Sequence, residues 1–271
     1  MFVAYAIILL VVGTLIFHFW SPWYFTEIAA DWGAIDTTVD ITFLITGLVF
    51  IAVNFFLAYC IYKYRYSPDK RGEYEPESHK LETWLTIFTT VGVAALLIPG
   101  LFVWGDFVEP PEDASEVEVV GQQWYWTFRH PGEDGVFGNV DIRHIDVNNP
   151  FGMDPEDPAG RDDVLVDSNV LHIPVDQPVK FLLRSKDVLH DFAVPQFRVK
   201  MDLVPGMITY MWADPIREGT YEILCEELCG VAHFAMRGRV VVEDQEGYET
   251  WLAGYPTFQE ILDRPEPNLV A

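Results

Sequence analysis

Three long stretches free of charge constrain this chain more than any other feature. Residues 1–20 contain no Asp, Glu, Lys or Arg; residues 41–62 repeat the pattern, broken only by Asn54 and a few hydroxyls; residues 83–104 carry Leu85, Ile87, Phe88, Val91, Leu96, Leu97 and Phe102 without one charge. Each run is near the roughly 20 residues that cross a bilayer as a helix. A backbone in lipid must satisfy its hydrogen bonds internally, so three spanning helices are predicted.

The first run lacks the basic region that precedes the apolar core of a secretory signal peptide, and the chain starts with it at Met1, which predicts a retained signal anchor. Residues 21–40 hold four acids and no Lys or Arg, whereas the next loop, residues 63–82, holds Lys63, Arg65, Lys70, Arg71 and Lys80. Basic loops stay in the cytoplasm. The predicted topology is therefore multi-pass in a bacterial-type inner membrane, with the N-terminus cytoplasmic and everything after Trp104 on the periplasmic side. Trp20, Trp23, Tyr24 and Trp32 at one boundary, and Tyr59, Tyr62, Tyr64 and Tyr66 at the other, read as interfacial anchors in contact with membrane lipid. Cys60, with no second Cys nearby, reads as a small apolar residue.

Charge separates the remainder. Residues 105–271 hold 12 of the 17 basic and 32 of the 41 acidic side chains, a net of −20 out of −24 for the whole chain. Such a surface repels phosphate, which excludes nucleic acid as a partner. It favours basic protein partners by steering, although a salt-adapted surface has the same composition. From Glu116 onward, short segments rich in Val, Ile, Tyr, Phe and Trp alternate with Pro, Gly and Asp clusters: residues 116–128, 164–166, 179–183, 208–212, 220–224 and 238–242. These predict a small antiparallel sandwich or barrel. Residues 129–163, with four prolines and seven Asp, read as a surface excursion outside the core, and residues 248–264 as short helices packing Trp251 and Leu252 back on the sheet. The predicted organisation is an N-terminal helix at 1–20, a helical hairpin at 41–104 with a cytoplasmic loop at 63–82, and an external domain at 105–271 with an insertion at 129–163.

Within twelve residues of that domain stand two thiols, an imidazole and a thioether: Cys225, Cys229, His233 and Met236. Soft sulfur with imidazole selects copper, and a His and a Met on one loop form the pattern of cupredoxin electron-transfer sites. A mononuclear site needs one thiolate. Two thiolates four residues apart can bridge two ions, and each ion then needs a nitrogen, for which His190 is the best second candidate. A local disulfide or a zinc site drawing on the same thiols and histidines stays open on these residues alone; the disulfide explains neither Met236 nor the histidines, and zinc gains nothing from Met236.

Cys225, Glu227, Cys229, Gly230, His233 and Met236 form a Cys-x-Glu-x-Cys-Gly-x-x-His-x-x-Met pattern that resembles the CuA loop of subunit II of haem-copper cytochrome c oxidase. The likeness extends to Asp187, Val188, His190, Pro195, Lys200, Asp202, Pro205 and Gly206, to Gly121, Gln123, Trp124, Tyr125 and Trp126, and covers about residues 40–260. The fold it implies is a membrane-anchored all-β protein, with transmembrane helices followed by an external cupredoxin-like Greek-key β-barrel or sandwich. Quinol oxidase relatives lack these thiols, so a quinol-fed version is disfavoured.

By resemblance, Cys225 and Cys229 bridge two coppers, His190 and His233 each bind one, Met236 is a weak ligand, and Glu227 contributes its carbonyl while its carboxylate binds magnesium at the interface with the catalytic subunit. Trp124 would receive the electron from cytochrome c, and Glu82, at the cytoplasmic start of the third helix, would open a proton path or simply cap that helix. The partners implied are the haem-copper catalytic subunit I, which reduces oxygen to water, other oxidase subunits, a cytochrome c or other c-type haem donor, and a second respiratory complex in a supercomplex. No Cys-x-x-Cys-His occurs, so no c-type haem is expected on this chain. The chain departs from the commonest family plan in its extra N-terminal helix, in the 129–163 insertion, and in lacking the usual Pro after Glu82. Alternatives are the CuA subunit of a nitric oxide reductase, a membrane-tethered copper carrier, or a zinc- or disulfide-braced adhesion sandwich.

Overall fold

Apolar sequence gives helix in each of the three runs: α1 (Phe2–Trp20), α2 (Gly33–Lys63) and α3 (His79–Val108), all long and apolar enough to span a membrane. The structure is a computed structural model describing residues 1–21, 25–72, 74–146 and 149–264. Several of the scattered polar groups of the helices are satisfied within their own helix, as lipid requires. Thr38, Thr42 and Thr46 hydroxyls donate to the carbonyls four residues back at 2.6–2.8 Å, and the Asn54 amide donates to the Phe50 carbonyl at 2.8 Å. Both later helices run past their uncharged segments, because Ala34, Thr37, Thr38 and Val39 at one end and Phe107 and Val108 at the other are compatible with helix although charges interrupt the apolar run.

The chain divides into two units, Met1–Phe25 with Ala34–Gly105, and Thr26–Gly33 with Asp106 onward. The segment before α2 thus belongs to the second unit, which corrects the reading of Trp32 as an interfacial anchor. Trp32 is buried there: its indole N–H donates to the Trp212 carbonyl at 3.1 Å and its ring packs against Trp212 and Phe107. Ala29 and Ala30 are buried beside it. Trp23 and Tyr24 lie outside the described residues.

The second unit is a sandwich of two five-stranded sheets. One sheet orders β3 (Val164–Val166), β2 (Tyr125–His130), β1 (Ser115–Gln122), β5 (Val179–Ser185) and β8 (Thr209–Ala213); the other orders β4 (Val170–Pro174), β10 (Arg237–Glu243), β9 (Gly219–Cys225), β6 (His190–Val194) and β7 (Val199–Leu203). The expectation of a purely antiparallel sandwich needs correction: β1 pairs with β5, and β4 with β10, in parallel. In each case the chain crosses to the other sheet between the partners, which gives the long connection a parallel pair requires. The run at 116–128 is two strands, broken by a turn at Gln123 and Trp124. Trp126, Phe128, Phe181, Phe192, Leu171, Ile173 and Leu203 fill the space between the sheets with no exposure of 2% or more.

The 129–163 segment is more than a surface excursion. Phe151 and Met153 are fully buried in a cluster with Val120, Leu165 and Phe258. Asn149 turns them inward, because its side-chain amide donates to the Met153 carbonyl at 2.8 Å and its oxygen accepts the Met153 amide at 2.9 Å. The segment is also pinned by ions. Arg129 meets Glu118 at 2.6 Å and Asp163 at 3.0 Å, Arg184 meets Glu118 at 2.5 Å, and Arg184 donates to the Phe151 carbonyl at 3.2 Å. Burial pushes the Asp163 carboxyl up to about 6 even with Arg129 beside it. At the C-terminal side, α4 (Gln245–Leu252) and α5 (Phe258–Leu262) follow the sandwich. Trp251 stacks on His172 of β4 at 4.4 Å and meets His130 edge-on.

Candidate metal centre

Strand pairing gathers the sulfur and nitrogen groups. Strands β6 and β9 are antiparallel with Phe192 opposite Cys225, and β9 and β10 are antiparallel with Leu224 opposite Arg237. The start of β6, the end of β9 and the start of β10 therefore lie at one end of one sheet. His190 opens β6, Cys225 closes β9, and Met236 immediately precedes β10. The connection between β9 and β10 carries Glu227, Cys229 and a short 3-10 turn, His233–Ala235, that folds His233 back toward the thiols.

The resulting cluster is compact. Cys225 Sγ lies 3.8 Å from Cys229 Sγ, 3.9 Å from His190 Nδ1 and 3.3 Å from the Glu227 carbonyl oxygen. Cys229 Sγ lies 3.6 Å from His233 Nδ1 and 3.8 Å from Met236 Sδ. Ligand atoms that share an ion at bonds of about 2.0–2.3 Å are spaced in this way. Both cysteines are free, and the sulfur separation is far beyond the ~2.05 Å of a disulfide, so the disulfide reading does not hold in this structure. Cys225, Cys229, His190 and Met236 are buried, His233 is half-buried, and the Glu227 side chain is exposed.

Electrostatics prepare the pair unequally. Burial opposes ionisation of Cys225, but hydrogen bonds from His190 and from neighbouring backbone outweigh it and draw the thiol down to about 6. Burial, reinforced by the adjacent Cys225, pushes Cys229 well up. A bound metal cation favours the thiolate of both.

The opposite sheet, through β1 and β2, supplies the wall behind the cluster. Trp126 meets the His190 ring at 6.2 Å and Phe192 at 5.3 Å. Gly121 lets the sheets approach closely there, because a Cβ at that position would sit 2.9 Å from Leu203 Cδ2 and 3.3 Å from His190 Cδ2 and would force the buried side chains to shift. The turn between β1 and β2 reaches over the loop, where Gln123 Nε2 and Trp124 Nε1 both donate to the Cys229 carbonyl, at 2.8 and 3.3 Å. Gly230 has φ +126°, and a Cβ on it would meet Gln123 Nε2 at 3.0 Å and the Trp124 ring at 3.1 Å. Trp124 is half-buried; Trp126 is the core tryptophan. Asp187, singled out in the sequence only as part of a motif, accepts from the Gln123 amide and pairs with His190. A carboxylate three residues before a candidate ligand histidine is the signal that marks it. Glu82 belongs to the helical unit, where its Oε1 accepts the Ser78 amide at 3.4 Å in the first turn of α3.

The family described as "Cytochrome C oxidase subunit II, periplasmic domain" matches residues 116–244. The "Alternative cytochrome c oxidase subunit 2" of Bradyrhizobium diazoefficiens is 52% identical over 264 residues, covering 97% of this chain and 95% of that protein. The chain belongs to the cytochrome c oxidase subunit 2 family. Cytochrome c oxidase subunit 2 of Cereibacter sphaeroides is 31% identical over 220 residues, 77% of this chain and 72% of the relative. The crystal structure of the periplasmic domain of subunit II of cytochrome oxidase of Bradyrhizobium japonicum aligns with 54% of this chain and 96% of its own, at 25% identity and a TM-score of 0.39. As a member of this family, the chain is a membrane-anchored part of an oxidoreductase complex with a cupredoxin-like domain. Membership implies copper, and the donors fit it: two free thiols 3.8 Å apart have two imidazole nitrogens, a thioether and a carbonyl oxygen within 3.3–3.9 Å of one sulfur or the other.

Proposed function

We propose that this chain is the electron-receiving subunit of a terminal respiratory oxidase, taking electrons from cytochrome c at a dinuclear CuA centre and passing them to the haem-copper subunit that reduces oxygen to water. The observation that carries this reading is the convergence of Cys225, Cys229, His190, His233, Met236 and the Glu227 carbonyl at one end of a rigid sandwich. In it, Cys225 and Cys229 would hold the two coppers as shared thiolate ligands, His190 and His233 would each supply one nitrogen, Met236 a weak thioether donor and Glu227 its carbonyl oxygen. The chemistry such a copper pair would supply is one-electron exchange with little change in bond lengths.

The chain's own residues do the rest. A close-packed wall of Trp126, Phe192 and Leu203 holds the ligands against rearrangement. Trp124 is half-buried and joined by one hydrogen bond to the backbone of Cys229, which supports its reading as the receiving group for the donor. The exposed apolar residues Leu228, Val231 and Phe234 stand on the same loop, and the −20 charge of residues 105–271 draws a donor with a basic face. The free carboxylate of Glu227 is placed in this reading at the catalytic subunit, with magnesium, and Glu82 is a capping carboxylate available to a proton path.

Thr26–Gly33 and the chain from Asp106 onward belong to one unit, which supports a reading in which the segments after α1 and after α3 lie on the same side of a bilayer. The basic residues of the loop after α2 support a cytoplasmic side for that loop, and with it the reading in which the copper end faces the periplasm of a bacterial-type inner membrane.

Trp124→Phe in the assembled oxidase keeps an aromatic ring but loses the N–H bond to Cys229. Electron uptake from reduced cytochrome c is expected to slow about tenfold or more, a barrier of ~1.4 kcal/mol, with the copper spectrum intact. Unchanged stopped-flow rates would remove Trp124 from the path.

A further inference from the structure

Among the ligands, His190 is fully enclosed, and its outer nitrogen ends on a single carboxylate. Asp187 Oδ1 lies 2.8 Å from His190 Nε2 while His190 Nδ1 faces Cys225 Sγ at 3.9 Å. A ring nitrogen bonded to a carboxylate carries the proton, which leaves the lone pair on Nδ1, the atom turned to the thiols. Trp126 and the bare Cα of Gly121 border the ring, so the carboxylate sets its orientation against a fixed wall. Asp187 does a second thing. Its Oδ2 accepts the Gln123 amide at 2.7 Å, its Oδ1 accepts the Val188 amide at 2.7 Å, and Gln123 in turn donates from its side chain to the Cys229 carbonyl at 2.8 Å. Hydrogen bonds and backbone therefore run from His190 through Asp187 and Gln123 to Cys229, with Trp124 on the same carbonyl.

We propose that Asp187 is a positioning residue of the copper centre, one carboxylate that fixes the tautomer of His190 and ties this ligand to the turn carrying Trp124. The proposal rests on the copper reading above. Its negative charge lies next to a buried ligand and favours the more positive, oxidised state of the centre. Outer partners of metal-bound histidines are worth about 10–100-fold in metal affinity or activity.

The test uses the full chain in detergent, loaded with copper, with Asp187→Asn and Asp187→Ala compared to the unaltered protein by chelator competition and redox titration. The Asn variant keeps an oxygen acceptor without the charge, so it is expected to retain copper and to titrate at a higher midpoint potential. The Ala variant is expected to bind copper about 10–100-fold more weakly and to make the two copper nuclei inequivalent in electron paramagnetic resonance. Wild-type affinity and potential in both variants would overturn the proposal. Should the Ala variant fail to fold, the Asn variant decides: a raised potential or weakened affinity supports the role of Asp187, and neither overturns it. An unaltered chain that takes up no copper would instead refute the copper reading.

Discussion

Cys225→Ser and Cys229→Ser, made separately, are each expected to abolish the shared-electron copper signal and to lower oxidation of reduced cytochrome c by the assembled oxidase more than about 100-fold, beyond the range typical of changes outside the ligand shell. Both sulfurs stand 3.8 Å apart and each faces a different imidazole, so the pair has no redundant member. A serine hydroxyl stays protonated at neutral pH and is a hard donor where a soft one is needed. Cys60→Ser serves as the control, because this third thiol is half-buried in α2 and belongs to the helical unit. A Cys225→Ser protein that keeps a copper pair with normal turnover would disprove the bridging role.

The second large effect is on stability. Replacing Arg129 by Met is expected to cost about 3–5 kcal/mol, because it strands Asp163 and one side of Glu118 in the interior without their partner. That is a large part of the roughly 5–15 kcal/mol by which folded domains are stable. Arg129 also packs its guanidinium over Phe137 and donates to the Gly138 carbonyl, so the 129–163 segment loses its main anchor. Urea unfolding of the full chain, followed by tryptophan fluorescence, measures the change. Adding Asp163→Asn to the Arg129→Met protein removes the stranded charge and is expected to restore part of the loss. A midpoint unmoved by Arg129→Met would show that the buried ions do not hold the segment.

Much of this was legible in the sequence because the decisive signals are local. Helix follows from uncharged runs, and the spacing of Cys225, Cys229, His233 and Met236 lies within a single strand-to-strand connection. His190 was legible as the second nitrogen that the paired thiols require, but its meeting with Cys225 was not, since the antiparallel pairing of β6 with β9 that brings them together is a long-range event. Three features escaped a linear reading for the same reason. Trp32 carries no local mark that distinguishes an anchor at a membrane surface from a core residue of a distant unit; only its bond to the Trp212 carbonyl does. Phe151 and Met153 are hidden in a Pro- and Asp-rich stretch, and their burial depends on Phe258, far along the chain. The break between β1 and β2 lies in the unbroken β-favouring run around Trp124, where the turn is closed by bonds from Gln123 to Asp187 and to Cys229.

Electron paramagnetic resonance of the full chain reconstituted with copper tests the dinuclear centre most directly. The expected result is a hyperfine pattern from one unpaired electron spread over two equivalent copper nuclei, lost in Cys225→Ser and in Cys229→Ser. A pattern from a single copper nucleus, or a covalent bond between Cys225 and Cys229 in the native protein, would contradict it.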